Sequence, residues 1–279
     1  MEQQTTKAYL LGLAVEQDKT HKYLSEPQFN QAPALPRIEL LAEIIMRLVL
    51  LPGMDGTGEL FKAFLDAIKG SLATTAVRYP NHVILSYDEL MAYVGSAIPS
   101  SEPFVLLAES FSTPLAIQCA ASNPRNLKAL VICAGFVCSP VTGLRRFAAS
   151  HLAPLLVRLG PSNFLSSFWL EPLLVGQGAA PSLLNELRSA ISSVRPEVLS
   201  ARLRAILCCD VRPALGQIDV PILYIQAGGD RLVPRAHLKE IRQIQPGTEP
   251  AIIDGPHLIL QREPRQVAEV VERFLRQLP

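Results

Sequence analysis

Short, nearly unbroken apolar runs recur along this chain, and each is followed by a longer segment whose apolar residues return every three or four positions. Arg47–Leu51, Phe104–Ala108 and Leu127–Cys133 are such runs, and Pro221–Gln226 and Pro250–Ile253 repeat the pattern near the end. Thr74–Tyr79 is a β-branched version of it. A strand that alternates apolar and polar residues has one wet face, whereas a strand without polar positions is buried on both. The segments Thr57–Lys69, Tyr87–Ile98, Thr113–Ser122, Arg235–Ile244 and Pro264–Leu278 each carry one apolar face and read as helices. Helices alternating with doubly buried strands predict a mostly parallel sheet flanked by helices on both sides, the α/β class.

The alternation breaks between residues 139 and 216, where no strand-like run occurs. Arg145–Arg158, Phe164–Leu174, Ser182–Ser192 and Pro196–Cys208 are apolar helical stretches, so the segment is expected to be a helical insertion. Insertions of this length in compact domains are commonly lids, and a cap over the sheet edge is the expectation. Within it, Phe164, Phe168 and Trp169 cluster with Leu173 and Leu174 at helical spacing and are the candidate substrate-binding residues. Residues 46–138 and 217–279 then form the core. Residues 1–45 are rich in Gln, Thr and Lys, then in Pro, and read as a poorly ordered or accessory extension.

Composition narrows the partners. The net charge is +1 and the basic residues are scattered, so no stripe suits nucleic acid or anionic lipid. No segment reaches the ~20 apolar residues of a membrane span, and Tyr9–Val15 is too short and lacks the basic leader of a signal peptide. A cytoplasmic protein is expected. The five cysteines form no CxxC pair and read as free thiols of a reducing compartment. No metal-ligand spacing such as HExxH is present, so neither a metal nor another cofactor is expected.

The chemistry concentrates where apolar runs end. Phe104–Ala108 runs straight into Glu109-Ser110-Phe111-Ser112 and then a helix. A serine on so tight a strand-to-helix turn needs small residues two before and two after it, here Ala108 and Ser112. The bland alternative is a serine that caps a helix. Asp230 follows the run Pro221–Gln226, and His257 follows Pro250–Ile253. All three residues thus stand at carboxyl ends of strands, where α/β sheets collect functional groups, in the chain order Ser, Asp, His. Asp254 is too near His257 in sequence to support its ring, and Asp210 and Asp219 precede a strand. Acyl transfer also needs donors for a developing oxyanion. The Phe111 amide is one candidate; Met54, in the glycine-rich loop Leu51–Gly58, is the other. That loop lacks the Gly-Lys-Ser/Thr of a phosphate loop.

On these motifs the chain resembles the small bacterial serine carboxylesterases of the α/β-hydrolase superfamily. The matching segments are Leu-Pro-Gly-Met-Asp-Gly-Thr-Gly at 51–58, Glu-Ser-Phe-Ser at 109–112, Gly229–Pro234 and His257–Pro264. Ala108 and Thr113 stand where relatives usually have glycine. The resemblance implies a small-molecule ester as substrate, hydrolysed through Ser110, His257 and Asp230 with Met54 and Phe111 as the oxyanion hole. The same serine also suits a thioesterase or acyltransferase, and the fold can serve as a ligand-binding receptor; turnover of a generic ester separates the receptor from the enzymes.

Overall fold

The computed structural model describes residues 46–70, 72–141 and 170–278. Phe164, Phe168, Trp169 and the extension 1–45 lie outside them, so the expectations placed on those residues are not addressed by the structure.

Six parallel strands form one sheet: β1 (Arg47–Leu51), β2 (Ala73–Ala76), β3 (Phe104–Glu109), β4 (Leu127–Cys133), β5 (Ile222–Ala227) and β6 (Glu249–Ile253), in the order β2-β1-β3-β4-β5-β6. The apolar runs are strands buried on both faces: every residue of β3 and of β5 is buried. Alternate side chains go to opposite sides. Val49, Leu51, Leu106, Ala108, Leu130 and Ile132 enter one core with α2 (Tyr87–Ala97) and α3 (Thr113–Ala121). Leu48, Leu50, Val105, Leu107, Ala129 and Val131 enter the other, with α1 (Lys62–Ile68). The edge strand β6 is largely exposed and contains Pro250, which suits an unpaired edge.

Several helices start where their sequences predict. Ser86 and Glu89 form a reciprocal capping box at the head of α2. Proline occupies the first turn of α3, of α5 (Pro181–Ser192) and of α6 (Pro196–Cys208), where its missing N–H has no intrahelical partner to lose. Between β4 and β5 the described residues form α4 (Leu170–Val175), α5, α6 and α7 (Arg212–Leu215), with no strand. The apolar faces of α4, α5 and α6 make a third cluster with Leu60 and Leu258 of the sheet-bearing part, while Leu215 of α7 joins the first core. After β5 come α8 (Ala236–Ile244) and, beyond β6, α9 (Ile259–Arg262) and α10 (Pro264–Leu275). All five cysteines are free thiols; Cys119, Cys133 and Cys209 are buried, while Cys208 is exposed. Among the described residues no helix is long and apolar enough to cross a membrane.

The strand order positions the site. From β1 the chain passes to one neighbour, β2, and then returns to the other, β3, so the loops after β1 and β3 diverge and leave a crevice at the carboxyl edge. Leu51 pairs with Ala108, which puts the glycine-rich loop directly beside the turn carrying Ser110.

Candidate active site

Ser110 leaves β3 with φ of 47°, in the left-handed region, and opens a 3-10 turn, Ser110–Ser112, that leads into α3. A non-glycine residue there costs about 1–2 kcal/mol and is held only when its surroundings over-determine it. Here the surroundings do so. Ser112, fully buried, donates its hydroxyl to the Pro52 carbonyl and lies 2.8 Å from the Tyr79 hydroxyl. The single Ser112 proton is committed to the carbonyl, so Tyr79 donates to Ser112. Burial pushes the Tyr79 phenol well above its ordinary value, which keeps that proton in place. On the other side, Tyr87 donates to the Phe111 carbonyl at 2.9 Å and stacks on its ring at 5.0 Å. Thr113 is accommodated by a glycine elsewhere: a Cβ on Gly135 would sit 2.2 Å from Thr113 Oγ1.

Asp230 and His257 reach the same point from the ends of β5 and β6. The loops that carry them are joined by Gly228 N–H to the Ile253 carbonyl and Gly229 N–H to the Gly255 carbonyl, both 2.7 Å. The Asp230 side chain is fully buried. Its Oδ1 accepts the amides of Leu232 and Val233, at 2.8 and 2.9 Å, and Oδ2 lies 2.8 Å from His257 Nδ1. A carboxylate can only accept, so Nδ1 carries the proton and the neutral imidazole turns its lone pair at Nε2 outward. Nε2 is 2.8 Å from Ser110 Oγ. The structure therefore brings Ser110, His257 and Asp230 into one hydrogen-bonded chain.

The glycine-rich loop is held from two sides. Asp55 Oδ2 accepts the Thr57 amide and hydroxyl, at 2.9 and 2.6 Å, and the Gly56 amide donates to the Gly53 carbonyl at 3.0 Å. From α6, Arg202 donates to the carbonyls of Met54, Asp55 and Pro80 at 2.9, 2.7 and 2.9 Å. Its guanidinium also faces the rings of Tyr79 and Phe111, at 5.8 and 5.9 Å. Arg202 is only 2% exposed, and burial lowers its pKa while Asp55 and Tyr79 oppose that effect. Gly56, at φ 70°, leaves the space this side chain fills: a Cβ there would lie 2.5 Å from Arg202 Nη1. Met54 and Phe111 flank Ser110, and among the described residues neither amide donates to another group of the chain.

Above Ser110 and His257 lies a cavity of about 230 Å³. Its walls are apolar and come largely from the segment between β4 and β5, including Leu174, Leu187, Ile191, Leu199 and Leu203. Of these, the sequence singled out Leu174; it missed Leu187, Ile191, Leu199 and Leu203 because any amphipathic helix packed on a core shows the same periodicity.

Glu109, next to Ser110, points away from that cavity into the protein. It is 1% exposed, its carboxyl faces the Gly53 amide and Gln261, and Oε1 has no hydrogen-bond partner among the described residues. Burial, reinforced by the nearby Asp55 charge, raises its pKa from 4.5 to about 7. Between those values the folded chain holds a proton that the unfolded chain releases, so this group favours folding below about pH 4.5 and loses that contribution as pH rises towards 7. Glu109→Gln is expected to flatten this part of the stability profile, by on the order of 1–3 kcal/mol between about pH 5 and 8. Urea unfolding of both proteins across that range measures it; parallel profiles would show that Glu109 does not titrate there.

Comparisons with known proteins place these features in context. The profile described as "Alpha/beta hydrolase family" matches residues 48–270. The chain is 27% identical over 235 residues to the biotin biosynthesis bifunctional protein BioHC of Cellvibrio japonicus, which covers 80% of this chain and 44% of that protein. To the pimeloyl-(acyl-carrier protein) methyl ester esterase of Xanthomonas oryzae pv. oryzae it is 31% identical over 109 residues, 38% of this chain and 43% of the relative. The matches thus span less than half the length of either relative. Among solved structures, a hydrolase from Oleispira antarctica superposes with a TM-score of 0.73 at 13% identity, over 83% of this chain and 91% of that one; the likeness is one of fold.

Proposed function

The chain belongs to the alpha/beta hydrolase family, and we propose that it hydrolyses carboxylic esters through an acyl-enzyme intermediate on Ser110. The observation that carries this reading is the hydrogen-bonded chain Ser110–His257–Asp230 at the floor of an apolar cavity. Ser110 Oγ attacks the ester carbonyl as its proton passes to His257 Nε2; the imidazolium then returns that proton to the departing alcohol. Water enters, loses a proton to the same nitrogen and attacks the acyl-serine; the imidazolium returns that proton to Ser110 Oγ as the acid is released. Asp230 fixes the tautomer and stabilises the charged ring. The oxyanion is received by the Met54 and Phe111 amides. Because the Gly53 carbonyl already accepts from Gly56, the trans peptide turns the Met54 N–H to the opposite side. In this reading the helices of 139–216 cap the acyl pocket, whose apolar walls favour an uncharged acyl chain. The name of the Xanthomonas oryzae relative, a pimeloyl-(acyl-carrier protein) methyl ester esterase, supports the same reaction class.

Aryl esters of graded acyl length test the reading. Each methylene received by the cavity is worth about 0.8 kcal/mol, or about fourfold in kcat/KM, until the pocket is full. A rise followed by a fall is expected. Absence of turnover with every ester would instead favour a binding protein on this fold.

Arg202 offers a second test, since it holds the oxyanion loop without touching substrate. Arg202→Ala strips three carbonyls, one buried and two partly buried, of this donor and is expected to lower stability by about 2 kcal/mol or more. The loosened loop should lower kcat roughly 10–100-fold, with a smaller change in KM. Arg202→Lys keeps the charge without the planar fork and should recover only part of the loss. Equal kcat in Arg202→Ala and wild type would show that the loop holds its shape unaided.

A further inference from the structure

Away from Ser110, the fold brings together three side chains that are distant in sequence and share the chemistry of a transition-metal site. Cys138 is the last core residue before the 139–216 segment, and its backbone is bridged to Asp210 in an antiparallel pairing. His237 and Glu240 are three residues apart in α8 and so project from one face of the helix. Cys138 Sγ is 3.4 Å from Glu240 Oε2, and His237 Nδ1 is 3.7 Å from the same oxygen. The three donor atoms all lie within 4.8 Å of one another. Metal–donor bonds of roughly 2.0–2.3 Å in a tetrahedron set neighbouring donors about 3.3–3.6 Å apart, so only small side-chain adjustments are needed.

Two further observations point to a ligand. His237 is 8% exposed at its side chain, and its Nδ1, directed at the cluster, has no hydrogen-bond partner among the described residues. A buried ring nitrogen left this way carries a desolvation cost that coordination would remove. The Glu240 carboxylate is also divided in a telling manner. Arg212 Nη1 holds Oε1 at 3.2 Å, which leaves Oε2 as the atom facing both the thiol and the imidazole. Arg212 is itself anchored on Asp210, with Nε to Oδ1 at 2.8 Å. A carboxylate with one oxygen oriented by an outer arginine and the other free for a metal has the outer-shell arrangement seen around bound ions.

We propose that Cys138, His237 and Glu240 bind one thiophilic divalent ion, Zn²⁺ foremost, with water in the fourth position. Sulfur and imidazole donors select zinc over magnesium or calcium. Half-buried Cys138 and Glu240 leave the site open to that water. Binding replaces the Cys138 thiol proton with the metal and releases the proton to solvent. The ion ties the residue that leads into the 139–216 segment to the helix that follows the Asp230 loop, so its effect is on rigidity. Phe136 and Pro140, on either side of Cys138, line the cavity, as does Val233 in the Asp230 loop. Hydrolysis does not require the ion, because Ser110 and His257 supply the nucleophile and the base. The proposal therefore stands or falls independently of the esterase reading.

The test uses full-length, untagged protein stripped with a chelator and titrated with Zn²⁺ against a chromophoric competitor. One equivalent is expected to bind, with release of a proton and a rise in melting temperature. Co²⁺ in place of Zn²⁺ should give a thiolate-to-cobalt charge-transfer band in the near ultraviolet. Cys138→Ser should lose that band, and His237→Asn should weaken Zn²⁺ by more than the roughly 10–100-fold that an outer-shell loss costs. Arg212→Gln should fall within that smaller range. The metal-free variants should melt where the metal-free wild type does; if Cys138→Ser does not fold, Glu240→Gln carries the same affinity comparison. Absence of stoichiometric Zn²⁺ binding, a cobalt band that survives Cys138→Ser, or unchanged affinity in both His237→Asn and Glu240→Gln would overturn the site.

Discussion

Ser110→Ala is expected to lower kcat for aryl-ester hydrolysis by roughly 10⁴–10⁶-fold, and His257→Ala by a similar factor. The geometry explains why the two losses should match. Ser110 Oγ is a weak nucleophile until His257 Nε2, 2.8 Å away, takes its proton, and that nitrogen has no other function without the serine. The double variant should therefore be little worse than either single one, because the residues act as a unit. The cavity and the Met54 and Phe111 amides survive both changes, so some acceleration over water should remain. A fluorophosphonate should label wild-type protein at Ser110, read by peptide mass spectrometry. Labelling that persists in Ser110→Ala would place the nucleophile elsewhere. Ser110 also adopts φ of 47°, so its replacement leaves the same strained backbone and little gain in stability is expected.

Much of the fold was legible because doubly buried strands have an unambiguous signature. Leu127–Cys133 is β4 to the residue, and the Ser86–Glu89 cap fixes the start of α2. Boundaries shifted where tertiary contacts intervened. The β-branched run Thr74–Tyr79 stops pairing as a strand at Ala76, because the Tyr79 amide is drawn to the Gly56 carbonyl of the glycine-rich loop, 2.8 Å away. The expected helix Thr57–Lys69 begins as a 3-10 turn at Glu59, after Gly58 takes a left-handed conformation. Ser110, Asp230 and His257 could be singled out because each follows an apolar strand run. Arg202 could not. In the helix Pro196–Cys208 nothing local distinguishes it from Arg204, and its contact with Met54 spans 148 residues. Cys138, His237 and Glu240 were hidden for the same reason: metal spacing is sought within one segment, and here 102 residues separate the thiol from the carboxylate it touches. The change of Thr for the usual glycine at 113 was visible, but its compensation by Gly135 required the packing.

Asp230→Asn is expected to lower kcat by up to ~10⁴-fold while leaving the fold intact. The argument follows from which oxygen does what. Oδ1 accepts the Leu232 and Val233 amides, and an asparagine will keep its own oxygen there, since two N–H donors cannot be answered by an NH₂ group. Its NH₂ must then face His257 Nδ1. A donor at that place can be met only by the ring's lone pair, so the imidazole proton moves to Nε2 and points at Ser110 Oγ. In that tautomer His257 cannot accept the serine proton, and the imidazolium formed in the transition state loses its counter-charge as well. Steady-state kinetics on one aryl ester, with melting temperature as the control for folding, measures the effect. Asp254 supplies the comparison: it is exposed and precedes His257 by only three residues, so Asp254→Asn should leave kcat within a few-fold of wild type. Near-normal kcat in Asp230→Asn, with loss of activity in Asp254→Asn or Asp210→Asn, would assign the acid to one of those residues and require a different orientation of the histidine ring.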